Sequence, residues 1–289
     1  MNETTTAGAE GAPRARVTTI FHCSDLHFGH PAVPEQYEAI EALIAARPYD
    51  VVAVSGDLSQ RAKAGEFQRA RVFLQQAGRH SAVIVVPGNH DVAWWKSPLG
   101  LGDPEAMLAK YGRYISEDLE PVLRIAGAVI VGLNTAQGVS RHTLTWNLRD
   151  ISIIGHLRKA QLERARSEFE QSRAGDARVV VMHHNPVKGE LSQRHGLKDT
   201  QKILGAFAEM GVDLVLCGHD HQEAVHYIEH TRRGTVISTS GTISNRSRGG
   251  RPGSVNSIRI TESDIEVSTL VWSNDTRDFV PGPVKCFAR

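Results

Sequence analysis

The sequence predicts an α/β fold in which two β-sheets pack together with helices outside. Three observations carry that expectation. Short, β-branched-rich runs recur along the chain, each bounded by Gly, Pro or a helical pattern, as buried strands are. Segments with helical spacing fill the intervals between them. The order is mostly β-α-β early and β-rich late, which suits sheets flanked by helices.

The elements follow in order. Buried strands are expected at Val17–Phe21, Val51–Val54, Ala82–Val86, Val179–Met182 and Leu214–Leu216. A helix over 35–46 places Tyr37, Ile40 and Ile44 on one face, and one over 65–77 does so with Phe67, Ala70, Phe73, Leu74 and Ala77. The pattern repeats over 160–171 with Leu162, Ala165 and Phe169. It recurs over 200–210 with Ile203, Leu204 and Phe207, ending at the helix-capping Gly211. Residues 122–133 read as a hairpin around Ala126-Gly127, and 235–240, 254–261 and 265–272 as late strands. Residues 1–16 are polar, with no apolar signal core, and read as a disordered lead.

The 289 residues could hold one domain or two, and they suffice for a full core without disulfides. A single domain over 17–289 is expected, because the chemical motifs run from residue 25 to 221 and a split would divide them. A formal net charge of +1 gives no bulk reason to expect nucleic-acid or membrane-surface binding. The three cysteines, Cys23, Cys217 and Cys286, are odd in number and scattered, which fits a reducing compartment rather than a disulfide framework. No apolar stretch approaches the roughly 20 residues of a membrane span. A cytoplasmic protein is expected, acting on a small substrate, with no membrane partner and compatible with a homodimer.

Each of the five buried runs is followed by a cluster of metal-ligating residues. These are Asp25-Leu26-His27, Gly56-Asp57, Gly88-Asn89-His90-Asp91, His183-His184 and Gly218-His219-Asp220-His221. Ligands at the ends of neighbouring strands can share one cleft, where open α/β sheets usually bind. Asp-x-His and His-x-His put two donors on one side if the segment is extended. The glycines before Asp57, Asn89 and His219 would let the backbone turn sharply. Mixed carboxylate, amide and imidazole donors suit Mn, Fe, Zn or Co better than an all-oxygen calcium site or a thiolate zinc site. Asp25, His27, Asp57, Asn89, His183, His219 and His221 are too many for one ion that must keep an open position. Two ions sharing a bridging carboxylate fit, and such a pair, about 3.5–4 Å apart, can clamp an in-line displacement at phosphorus.

With all five motifs in this order, the chain resembles the calcineurin-like metallophosphoesterase superfamily over roughly residues 17–272. The resemblance implies a four-layer αββα sandwich of two mixed sheets, with two divalent or trivalent metal ions (Mn, Fe or Zn) at the strand ends. It implies that Asp25, His27, Asp57 and His221 hold the first, and Asp57, Asn89, His183 and His219 the second, with His183 chosen over His184. Gln60 stands where purple acid phosphatases carry a Tyr. Gly56-Asp57-Leu58-Ser59-Gln60-Arg61 also departs from the Ser/Thr phosphatase pattern, and His90 stands where the lipid A-pathway diphosphatases have Arg. The opening Ser24-Asp25-Leu26-His27-Phe28-Gly29 and the close near Val271-Trp272 look like bacterial class III cyclic-nucleotide phosphodiesterases. The implied activity is hydrolysis of a small phosphodiester by a metal-bound hydroxide, with nuclease, phosphomonoesterase and non-catalytic scaffold as alternatives. No basic run or nucleic-acid module favours the nuclease. Scaffold members lose ligands, and none is missing here.

His90 is the candidate catalytic acid, and His90 with Asn89 the candidate substrate contacts. His90 would protonate the leaving oxygen, an effect worth roughly 10²–10⁴-fold, unless it is a further ligand or a structural donor. Asp91 is expected to orient its imidazole or raise its pKa. Cys23 and Cys217 read as small buried hydrophobes. Trp94 and Trp95 offer either a stacking face for a base or lid packing. Arg246, Arg248 and Arg251 read as a solvated loop, with phosphate or ribose contact as the other reading.

Overall fold

The computed structural model describes residues 16–47, 49–93, 104–136, 154–190, 196–230 and 234–289. The first half runs β1 (Thr18–Cys23), α1 (Pro34–Ala46), β2 (Val51–Val54), α2 (Ala64–Ala77), β3 (Ala82–Val85), a 3₁₀ turn (Asn89–Asp91), α3 (Pro104–Tyr114), β4 (Val122–Ile125) and β5 (Ala128–Leu133). The second half runs α4 (Lys159–Glu170), β6 (Ala177–Met182), α5 (Thr200–Glu209), β7 (Leu214–Cys217), β8 (Ala224–Ile228), β9 (Thr235–Thr239), β10 (Ser254–Ile260), β11 (Asp264–Ser273) and β12 (Asp278–Ala288).

These strands form two mixed six-stranded sheets, β12-β11-β10-β1-β2-β3 and β4-β5-β6-β7-β9-β8. Side-chain alternation builds the layers. On β2, Val51 and Ala53 join the core between the sheets, while Val52 and Val54 face the helices; on β6, Val179 and Val181 point inward and Val180 and Met182 outward. Tyr37 and Ile40 of α1, Phe67 and Phe73 of α2 and Tyr111 of α3 cover the first sheet. Phe169 of α4 and Phe207 of α5 cover the second. The result is the expected αββα sandwich. Strands buried on both faces explain the continuous apolar runs.

Three elements were not foreseen. β12 carries Pro281, Gly282 and Pro283, which argue against a strand, yet it lies at a sheet edge, where proline is tolerated. β8 is the other sheet's edge and only half-buried, so it lacks an apolar run. α3 buries Met107, Leu108 and Tyr111, a short stripe with Gly112 behind it. Residues 1–15 of the expected disordered lead, and Trp94 and Trp95, lie outside the described residues. No described helix is long and apolar enough to cross a membrane.

Parallel pairing of β1 with β2, β2 with β3 and β6 with β7 points the C-terminal ends of these strands the same way within each sheet. The motif loops leave from those ends, so the platform beneath them should be sensitive to core packing. Phe67 is fully buried, edge-on to Tyr111 at 6.2 Å and stacked on Tyr114 at 6.4 Å. Phe67→Ala should cost about 3–5 kcal/mol, read as a lower urea midpoint with an unchanged slope. A loss under 1 kcal/mol would mean that α2 and α3 contribute little to the layer.

Candidate metal centre

All seven expected ligand residues come together between the two sheets. Asp25, His27, Asp57 and His221 present donor atoms that all lie within 4.8 Å of one another, and His183, His184 and His219 do the same. Asp57 touches both groups: its Oδ2 lies 3.7 Å from His27 Nε2 and 3.4 Å from His183 Nε2. Asn89 Oδ1 lies 3.0 Å from both His183 Nε2 and His219 Nδ1. In the first group, His221 Nε2 stands 3.1 Å from Asp25 Oδ1 and 3.0 Å from His27 Nε2.

The loops reach this arrangement by a different route from the expected one. Asp25, His27, Asp57, His219 and His221 have φ of +53°, +47°, +53°, +74° and +53°. Asp-x-His and His-x-His therefore converge through left-handed backbone and not through the alternation of an extended strand. Such conformations in non-glycine residues cost of order 1–3 kcal/mol each and persist only where surroundings over-determine them. Here the loops clamp one another: Asp25 N–H donates to Gly56 O (3.1 Å), His27 N–H to Asp57 O (2.9 Å) and Gly218 N–H to His183 O (2.9 Å).

The glycines also act differently from the expectation. Gly56 alone of the three has a positive φ, +95°. Gly88 and Gly218 are needed for space: a Cβ on Gly88 would lie 2.1 Å from Asp57 Oδ1, and one on Gly218 would lie 2.4 Å from Asp25 Oδ2.

The donor set suits a cation. His183 Nδ1–H donates to Ser55 O (2.8 Å) and His221 Nδ1–H to Arg246 O (3.0 Å), which turns each Nε2 toward the cluster. Asp25 Oδ1 and Asp57 Oδ2 are buried and accept no hydrogen bond. Buried carboxylate oxygens without donors are costly unless a positive charge stands opposite. Burial alone would raise both carboxyls, but the imidazoles outweigh it. His221 above all holds Asp25, and His183, His90 and His27 hold Asp57, well below the usual carboxylate range. Burial lowers His27 and His219 to about 3, so both are neutral. Burial would lower His183 too, but Asp57 beside it raises it to about 9. Ionised carboxylates and neutral imidazoles are the forms that bind metals, and His183 would release its proton on doing so.

His184 sits against His183 and His219, with Nδ1 2.7 Å from Thr135 Oγ1 and Nε2 buried without a partner. Cys23 and Cys217 are wholly buried in the two helix-facing cores, and burial pushes both thiols up to about 12. They pack as hydrophobes.

His90 and Asp91 part company. The His90 backbone N–H donates to Asp57 Oδ1 (2.8 Å), and its Nδ1–H donates to Gln60 O (2.8 Å). Its Nε2 accepts from Arg246 Nη1 (3.1 Å). The expectation that Asp91 orients this imidazole is corrected: the Gln60 carbonyl does so. The Asp91 carboxylate instead accepts from Leu58 N–H, Ser59 N–H, Ser59 Oγ–H and Gly88 N–H at 2.8–3.1 Å, tying the second motif loop to the third. Burial, then the charge of Asp57, raises Asp91 to about 7 against the pull of those donors.

Sequence reasoning missed Gln60, Ser55 and Thr135, whose backbone or hydroxyl contacts carry no motif. The basic loop was read as a unit, and the structure divides it. Arg246 is half-buried against His90 and Gln60 Oε1 (3.1 Å), Arg251 pairs with Glu190 and Glu223, and Arg248 is exposed.

The calcineurin-like phosphoesterase family model matches residues 18–223. Over 190 residues the chain is 28% identical to a probable cyclic nucleotide phosphodiesterase of Synechococcus sp., covering 64% of this chain and 62% of that protein, so it spans less than two thirds of the relative. Its fold is similar to purple acid phosphatase PPD1 from yellow lupin seeds, with a TM-score of 0.69 at 10% identity, over 96% of this chain and 54% of that one. It is also similar to PhoD, with a TM-score of 0.61 at 12% identity, over 97% and 70%. At such identities the likenesses show the fold alone.

Asp91→Ala should leave three buried backbone N–H groups, those of Leu58, Ser59 and Gly88, without an acceptor and cost at least roughly 2 kcal/mol, seen as a lower denaturant midpoint. His90→Ala should leave that midpoint within about 1 kcal/mol of the parent, since it removes only part-buried contacts. Equal losses in the two variants would refute the division of labour drawn here.

Proposed function

Because the chain belongs to the calcineurin-like phosphoesterase family, we propose that it is a dinuclear-metal-dependent phosphodiesterase acting on a small diester, cyclic nucleotides included. The observation that carries the reading is the set of seven donor residues, six of them grouped around Asp57, whose Oδ2 faces both halves. The relative in Synechococcus sp. supports the diester and cyclic-nucleotide part. Three free cysteines, two of them buried, support a cytoplasmic location.

Asp25, His27, Asp57 and His221 would hold one ion and Asp57, Asn89, His183 and His219 the other, with Asp57 as the bridge. The ions, Mn, Fe or Zn, would supply Lewis acidity toward the phosphoryl oxygens and a nucleophilic water at neutral pH. The chain's own residues do the rest. The Ser55 and Arg246 carbonyls fix the tautomers of His183 and His221, so their Nε2 atoms stay available. The Asp57 Oδ1–His90 N–H bond holds His90 beside the bridging carboxylate. His90 Nε2, once released by Arg246 and protonated, would be the group that gives its proton to a departing alkoxide. His184, with its Nδ1 on Thr135 Oγ1, would take a supporting place beside the ligands, as the resemblance implies.

The test is a substrate panel on protein supplied with Mn, Fe or Zn. An aryl diester and cyclic nucleotides should be hydrolysed with a higher kcat/KM than any phosphomonoester. Metal analysis should give two ions per chain, and Asp57→Ala should lose both and all activity. A preference for monoesters, or faster cleavage of single-stranded DNA than of any small diester, would replace this reading with the corresponding alternative.

The role of His90 separates through the leaving group. His90→Ala should retain both ions and lose roughly 10²–10⁴-fold on alkyl or nucleoside diesters. On a nitrophenyl diester, whose leaving group needs no proton, the loss should be far smaller. Equal losses would assign His90 to stabilising the phosphoryl oxygens, and loss of metal would make it a ligand.

A further inference from the structure

A cavity of about 430 Å³, lined in part by His30, Gln60, Arg61, Lys63, Glu66 and Arg246, is separated from His90 by two of its own lining residues. Two of its walls belong to the candidate metal centre. Gln60 and Arg246 are the residues that hold the two nitrogens of the His90 ring.

Its charge is one-sided. Arg61, Lys63 and Arg246 line it against a single acid, Glu66. Glu66 is buried, and its Oε2 is turned onto the backbone N–H groups of Arg61 (2.8 Å) and Lys63 (3.2 Å). Among the described residues none of the three cations has a carboxylate partner, and Arg246 spends its guanidinium on Gln60 Oε1 and the His90 ring. Arg251 on the same loop shows the contrast, neutralised by Glu190 and Glu223. Unpaired cations along a concave wall raise the local potential for an anion, and arginine and lysine are the side chains that bind phosphate through charge-assisted hydrogen bonds.

We propose that this cavity is the leaving-group subsite and that it selects diesters whose departing alcohol carries a second phosphate. The proposal rests on the diesterase reading and on His90 marking the leaving-group side, and it narrows the substrate class. Water adds across the ester: its oxygen forms the new P–O bond, the P–O bond to the phosphorylated alcohol breaks, and the departing alkoxide takes a proton. The phosphate on that alcohol stays intact, held by Arg61, Lys63 and Arg246.

The diester of ethanol and 2-phosphoethanol tests this, because it can break on either side. With the manganese-loaded chain, release of 2-hydroxyethyl phosphate should exceed release of ethanol by roughly tenfold, the scale of one charge-assisted hydrogen bond. In Arg61→Ala/Lys63→Ala the ratio should fall toward one. Predominant release of ethanol, or an unchanged ratio in the double variant, overturns the subsite. If neither bond is cut, the diesterase reading fails and calorimetry decides the subsite independently. Binding of 2-hydroxyethyl phosphate that is roughly tenfold weaker in the double variant keeps it, and equal binding removes it.

Discussion

Two fully buried carboxylates, Asp25 and Asp57, each expose one oxygen to no hydrogen-bond donor, and the site is organised around them. Ionised carboxylates are not left in a protein interior without compensation. Compensation here comes first from His183, raised to about 9 beside Asp57. His27 and His221 stand 3.7 and 3.1 Å from Asp25, and the three imidazoles are drawn from three loops and two sheets. Bringing them within reach forces the chain into conformations it would otherwise avoid. Five motif residues sit at positive φ, and Gly88 and Gly218 leave no room for a side chain against the carboxylates. The strain and the missing side chains are consequences of one electrostatic requirement.

The sandwich makes that requirement affordable in structural terms. Strands buried on both faces form a stiff layer, so the loops at their ends start from fixed points. Backbone bonds between loops then complete the geometry: β1's loop is clamped to β2's through Asp25, His27 and Phe28, and β6's to β7's through His183 O and Gly218 N–H. Asp91 adds a third tie, joining β2's loop to the turn after β3. A carboxylate in a ligand motif can thus serve the scaffold while its neighbours serve the centre.

The seven clustered residues were legible in the sequence because each follows an apolar run whose end the period marks. The αββα layering was legible for the same reason. What stayed hidden was of two kinds. β8 and β12 are edge strands, half-solvated, one of them broken by Pro281 and Pro283, so neither presents the apolar run that marks a buried strand. Gln60 and Ser55 act through their carbonyls, which every residue possesses, so no side-chain pattern can announce them. The error over Asp91 has a related cause. Adjacency in sequence suggested contact with His90, but in a 3₁₀ turn successive side chains point in different directions, and Asp91 folds back onto Gly88.

Residue 246 shows how far a glycine-rich, basic loop can be drawn into a centre built from strands. Its carbonyl accepts from His221, and its guanidinium donates to His90. One residue therefore sets the tautomer of a residue in the first donor group and occupies the second nitrogen of the His90 ring. The two contacts come from different parts of Arg246, main chain and side chain, so the backbone position that serves His221 also fixes where the guanidinium can reach. Ser244 and Thr242 hold that backbone in turn: Arg246 N–H donates to Ser244 Oγ, and Thr242 Oγ1–H donates to the carbonyl of Asp25. The loop is thereby tied to the first motif at one end and to the third at the other. A substitution that moved it would disturb the first donor group and His90 together, although the loop contributes no ligand of its own.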